Sequence, residues 1–384
     1  MIAARWDGVG FSAIARIRNA AMEMEARGEP LIRLEGGEPF GATPAPIAEA
    51  LGRAALEGKT RYAPTAGIPE LRQRLLQKVI VKNAFRAATL DSILVTNGAA
   101  QGIFAALSVL VDPGTEVLLL SPYWTPYADM VRVHGGVPVE VPVLGLEGPQ
   151  PLAEAVARAI TPKTRVLLFN SPVNPTGRLF TPLEVEAIAE LAEDKELTVI
   201  ADEAYEELVY DHSAHVSMAS LPDMFERTIT AFTFSKTFAM TGLRVGYLVA
   251  PPAALPALRS AILYGSNGVA TPNQWAAVAA FDTPASIREE WRRGYVKRRD
   301  RLCEGLRSAG FEVAPTKAAL YLFARLPVAL GTDSAAAAER LLKEARLSCV
   351  PGSAFGAAGE GHVRMSFSVP EETIERAVDA LKQL

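Results

Sequence analysis

The chain has 384 residues, more than one hydrophobic core normally serves, so one large domain with a smaller companion is expected. Hydrophobic residues at 49%, charged residues at 21% and a formal net charge of −4 exclude a disordered or fibrous chain, and leave no electrostatic footprint for nucleic acid or an anionic membrane. Two cysteines, Cys303 and Cys349, stand without a CxxC pair or clustered histidines, which argues against a disulfide framework or a metal site. The first residues carry no apolar targeting segment, so the expectation is a cytoplasmic protein with small-molecule partners.

Between about Asp91 and Ala250, short apolar runs alternate with helical patterns. The runs fall at 92–96, 116–121, 136–142, 164–169, 197–201, 228–232 and 245–250. Runs that lack a polar face predict a mostly parallel sheet covered on both sides. Helices are predicted at 99–110, 151–159 and 182–194. The last begins with Thr181 as N-cap, Pro182 at the first helical position and Glu184 at the third. A long basic helix follows at 287–309, then strands at 311–313 and 320–326, a helical Ala335–Ala338 stretch, and a strand at 361–368 closed by Pro370 and a final helix from Glu371. The expected fold is α/β: a large domain, 45–280, with a mostly parallel seven-stranded sheet between helices, and a smaller α+β domain formed by the N- and C-terminal segments, 1–44 and 281–384.

Ligands of parallel sheets bind at the carboxyl ends of the strands, and the polar motifs fall there. The run 197–201 delivers Asp202-Glu203-Ala204-Tyr205, and the run 228–232 leads into Thr233-Phe234-Ser235-Lys236, with Arg244 eight residues beyond the lysine. A lysine amine can form an imine with an aldehyde cofactor. A carboxylate can keep a pyridinium nitrogen protonated, and an arginine with hydroxyls can grip a phosphate. Asp202, Lys236 and Arg244 supply those three groups.

The pattern Ser-Lys-x-x-x-x-x-Gly-x-Arg-x-Gly, met by Ser235, Lys236, Gly242, Arg244 and Gly246, resembles that of the class I/II pyridoxal-phosphate-dependent aminotransferases of fold type I, which are aspartate aminotransferase-like. The resemblance runs from about Ile14 to the C-terminus. It implies pyridoxal 5'-phosphate as cofactor, bound to Lys236 as a Schiff base, with Asp202 on the ring nitrogen, Asn174 and Tyr205 on the phenolate oxygen, and Trp124 stacked on the ring. Gly98, Ala99 and Ala100, with Thr233, Ser235 and Arg244, correspond to the phosphate site, and Tyr62 to a tyrosine that reaches the neighbouring subunit's phosphate in a homodimer. Arg364 and Gly37 correspond to residues that bind the substrate α-carboxylate, beside Trp124 and Asn174.

The implied activity is transfer of the amino group of an L-amino acid to a 2-oxo acid by a ping-pong mechanism, with Lys236, Asp202 and Tyr205 as catalytic residues. A carbon–sulfur β-lyase or another pyridoxal-phosphate enzyme on the same fold, such as a cyclising synthase, shares all these residues and stands as the alternative. Two positions depart from the family pattern. Thr233 stands where Ser or Gly is usual, and Ala100 stands where aspartate-preferring relatives commonly carry a lysine for the second carboxylate. With apolar Phe11 and Ile14 at the N-terminal edge, this predicts neutral or aromatic amino donors, with 2-oxoglutarate or pyruvate as acceptor.

Overall fold

A computed structural model describes residues 3–10 and 13–383. Twelve strands occur among them: β1 (Ile32–Arg33), β2 (Ile93–Thr96), β3 (Glu116–Ser121), β4 (Val137–Pro142), β5 (Thr164–Asn170), β6 (Thr198–Asp202), β7 (Thr228–Thr233), β8 (Gly246–Val249), β9 (Tyr321–Arg325), β10 (Leu347–Ser348), β11 (Val350–Pro351) and β12 (His362–Ser366). The central sheet has seven strands in the order β2-β8-β7-β6-β5-β3-β4. Only β8 runs against its neighbours, and the remaining pairs are parallel.

The runs without a polar face have the predicted explanation. On β3, Val117 and Leu119 join the core on one side of the sheet while Leu118 and Leu120 join the core on the other. Burial on both faces removes any need for a polar alternate position. The helix Pro182–Asp194 starts as expected: Thr181 Oγ1 accepts from Glu184 N at 3.3 Å, and Glu184 Oε2 accepts from Thr181 N at 2.8 Å. Two helices begin one or two residues earlier than predicted, at Gly98 and Pro149.

The carboxyl ends of β5, β6 and β7 lie side by side. Asn170 is in register with Asp202, and Thr233 with Gly246 on the antiparallel β8. The helix Gly98–Leu110 leaves β2 at the same edge.

A second core gathers the N- and C-terminal segments. Ile32 and Leu34 pack there with Leu302, Leu306, Leu322, Val363, Phe367 and Val378. Its sheet has the order β11-β12-β9, antiparallel throughout, and β1 pairs parallel with β10. The long helix spans Ala285–Ser308. The strand expected at 311–313 does not form: Glu312 makes one isolated bridge to Arg325, while Phe311 is buried in the core. Pro315 just beyond has no N–H for a ladder, so the apolar run ends as an anchor rather than a strand.

Candidate active site

A cavity of about 390 Å³ opens at the carboxyl edge of the central sheet. Gly37, Ala99, Ala100, Trp124, Asn174, Asp202, Tyr205, Thr233, Ser235, Lys236, Arg244 and Arg364 all line it. These residues come from positions as far apart in the chain as 37 and 364, so only folding brings them together. Two predicted residues stand apart from the lining. Gly98 lies behind it, and Tyr62 is 89% exposed on the surface. Phe11 and the side chain of Ile14 lie outside the described residues.

At the floor, Asp202 ends β6 and is 6% exposed. Its Oδ2 accepts from the Tyr127 hydroxyl at 2.5 Å and its Oδ1 from Ala204 N at 3.0 Å. Burial raises its carboxyl to about 6, although both hydrogen bonds pull it down. A buried carboxylate with no cationic partner in contact suits a protonated ring nitrogen, whose charge would offset the desolvation of its own. Tyr127 was not among the predicted residues. It lies three positions after Trp124, in the first turn of the helix Pro126–Val133, and their rings pack edge to face at 5.3 Å.

Thr233 caps the four-residue helix Phe234–Thr237, its Oγ1 accepting from Ser235 N at 3.1 Å. That turn presents Lys236, whose Nζ donates to the Gly37 carbonyl at 2.7 Å. Arg244 adopts a left-handed backbone, φ 52°, and is held by the carbonyls of Thr241 at 2.9 Å and Asn97 at 3.3 Å. Its guanidinium meets the start of the Gly98–Leu110 helix, where first-turn N–H groups lack intrahelical partners. A Cβ on Gly98 would lie 2.6 Å from Arg244 Nη2, and one on Gly246 would lie 2.6 Å from the Gly98 carbonyl carbon. Gly246 is therefore required by close approach to main chain, and Gly98 by its left-handed backbone, φ 77°. Hydroxyls, guanidinium and free amides converge as a phosphate group demands.

At the opposite wall, Arg364 on β12 is 2% exposed. Its Nη1 donates to Asn174 Oδ1 at 2.9 Å and its Nη2 to the Glu35 carbonyl at 2.7 Å, while its Nε is buried without a partner. Its guanidinium lies 4.2 Å from the Tyr321 ring centroid. Burial lowers its pKa, and it makes no ion pair with a carboxylate among the described residues. A desolvated guanidinium facing a cavity is a receptor for a carboxylate supplied from outside.

Asn174 is in turn fixed by its neighbour Asn170, whose Oδ1 accepts from Asn174 N at 3.0 Å and whose Nδ2 donates to the Asp202 carbonyl at 2.9 Å. With Asn174 Oδ1 occupied by Arg364, its Nδ2 remains as a donor on the cavity side. Tyr205 and Tyr321 share a hydroxyl contact at 2.8 Å, and burial followed by that contact drives the Tyr205 hydroxyl well above its ordinary range. Sequence reasoning missed Asn170 and Tyr321. The first was signalled by ending a strand beside that of Asp202, whereas nothing local marked Tyr321.

The groups present thus fit pyridoxal phosphate at its ring nitrogen, its phosphate and its aldehyde. The sequence pattern of the family "Aminotransferase class I and II" matches residues 29–381. The chain is 40% identical over 376 residues to a probable aspartate/prephenate aminotransferase of Thermus aquaticus, covering 97% of this chain and 96% of that one. It is 38% identical over 382 residues to aromatic-amino-acid aminotransferase 2 of Thermococcus litoralis, covering 99% and 97%. The solved structure of aspartate aminotransferase from Thermus thermophilus with maleate superposes with a TM-score of 0.93 at 37% identity, covering 100% of this chain and 99% of that one. On these grounds, and with a site whose lysine, acid and arginines share one cavity, the chain belongs to the class I and II aminotransferases and is an aminotransferase enzyme.

Proposed function

We propose that the enzyme binds pyridoxal 5'-phosphate through Lys236 as a Schiff base and moves the amino group of an L-amino acid to a 2-oxo acid by a ping-pong mechanism. The observation that carries this reading is the placement around one cavity of Lys236, the buried carboxylate of Asp202 and the buried Arg364, which makes no ion pair among the described residues. When bound, the cofactor supplies an electron sink and a carrier for the amino group. Asp202 holds a proton at the ring nitrogen, with Tyr127 fixing the carboxylate. Asn174 Nδ2 and the Tyr205 hydroxyl would donate to the phenolate oxygen, and Trp124 would pack against the ring. Thr233, Ser235, Arg244 and the amides of Gly98, Ala99 and Ala100 anchor the phosphate.

Arg364 orients the substrate by its α-carboxylate, with Gly37 closing over it. Lys236 Nζ, once released, takes and returns the proton at the substrate Cα. Ala100 offers the cavity a methyl group, which favours neutral or aromatic amino donors, with 2-oxoglutarate or pyruvate as acceptor. The exposure of Tyr62 supports a homodimer in which it reaches the partner's phosphate. The reading also takes residues 45–280 as the cofactor domain, residues 1–44 with 281–384 as the smaller domain, and the cytoplasm as the location.

The test is a single half-reaction. Cofactor-loaded enzyme mixed with phenylalanine, methionine, alanine or aspartate and no acceptor should release one equivalent of 2-oxo acid per subunit. Lys236→Ala should release none. Normal turnover by that variant, or aspartate outpacing every neutral donor about ten-fold, would overturn the lysine assignment or the donor preference respectively.

A further inference from the structure

We propose that Arg18 receives the second carboxylate of dicarboxylic substrates, so that recognition of the distal charge resides on the N-terminal helix and not on the helix that follows β2. The inference deepens the preceding reading and rests on it. An enzyme that takes amino groups from neutral donors and passes them to 2-oxoglutarate must bind a second carboxylate in one half-reaction only. Ala100, on the helix Gly98–Leu110, has no group for that task.

Among the described residues the cavity is lined by four cations, and three of them are engaged. Lys236 is held by the Gly37 carbonyl, Arg244 by the carbonyls of Thr241 and Asn97, and Arg364 by Asn174 and the Glu35 carbonyl. The fourth is Arg18, on the helix Ala13–Ala26. It is exposed at the mouth and makes no hydrogen bond or ion pair among the described residues. The acid that shares this mouth, Glu38, accepts from Thr241 Oγ1 at 3.2 Å and forms no ion pair with Arg18.

Arg364 at the buried wall and Arg18 at the mouth thus provide two guanidinium groups in one cavity. Each can take a carboxylate with two parallel N–H donors. The exposed position of Arg18 makes its contribution modest and leaves the long side chain free to point to solvent when the substrate has an apolar end. A uniformly placed buried cation would reject such substrates, because it would be left desolvated and unpaired.

The test compares dicarboxylates with monocarboxylates of equal length on the cofactor-loaded enzyme. In Arg18→Ala the ratio of kcat/KM for 2-oxoglutarate to that for pyruvate should fall about three- to five-fold. Glutarate should weaken as a competing ligand by a similar factor, approaching valerate, and Arg18→Lys should recover part of the loss. Valerate binding reports that each variant is folded. If both Arg18→Ala and Arg18→Gln keep the ratio and the glutarate affinity within about two-fold of wild type while amino transfer continues, the assignment of Arg18 is overturned and the proposed function stands. If the wild type transfers no amino group, the function falls, and the glutarate measurement still judges Arg18.

Discussion

Replacing Asp202 by asparagine isolates the charge of one buried group. Burial lifts this carboxyl from 3.8 to about 6. The folded chain therefore holds the proton more tightly than the unfolded chain does. The contribution of Asp202 to stability is at its best below pH 4, declines as pH rises from about 4 to about 6, and stays reduced above both values. The gap corresponds to about 3 kcal/mol. Asp202→Asn cannot ionise; its single amide oxygen can keep the bond from Ala204 N, and its Nδ2 can donate to the Tyr127 hydroxyl once that hydroxyl turns to accept.

Chemical denaturation of cofactor-free protein, at fixed protein concentration, should show the variant gaining up to about 3 kcal/mol on wild type between pH 4 and pH 7. Taking the difference between the two proteins cancels the other titrating groups. Loaded with cofactor, the order should reverse, because a protonated ring nitrogen gives the wild-type carboxylate its missing partner. Activity of the variant should fall by about 100-fold or more in kcat/KM. Wild type and variant tracking each other across this pH range would refute the claim that the buried charge is held at a cost to the apo fold.

Two further perturbations probe the walls of the site. In Tyr127→Phe the hydroxyl that pulls the Asp202 carboxyl down is gone, so the acid limb of the kcat/KM profile should move to higher pH, with a loss of about ten-fold at neutral pH; coincident profiles would sink this. In Gly246→Ala the new Cβ would lie 2.6 Å from both the Gly98 carbonyl carbon and the Phe232 oxygen, all main chain that cannot swing aside. Thermal denaturation and cofactor titration should then show about 2–4 kcal/mol lost in stability together with weaker cofactor binding, and unchanged values would mean the two loops are not in contact.

Residues whose role is set by short-range physics were legible in the chain. The strands of the central sheet could be read because burial on both faces leaves an apolar run. The Thr181–Glu184 capping box could be read because both partners lie within one turn. The sequence by itself also placed Asp202, Lys236 and Arg244 at strand ends, where ligands bind, and the spacing from Ser235 to Gly246 tied them to a family.

What required the tertiary structure are contacts that join distant segments, since chain pattern carries no record of which side chains meet across a cavity. Arg364 and Asn174, 190 positions apart, are hydrogen-bonded at 2.9 Å, and Tyr321 meets Tyr205 across 116. Phe311 is an anchor in the smaller core, not part of a strand, because its neighbours offer one bridge and no ladder. Arg18, which no sequence motif marked although Ile14 on the same helix drew notice, shares a cavity with Lys236 because the N-terminal segment folds back over the carboxyl edge of the sheet. The chemistry of the site was written in local motifs, while the grouping of its cations around one opening was decided by the fold.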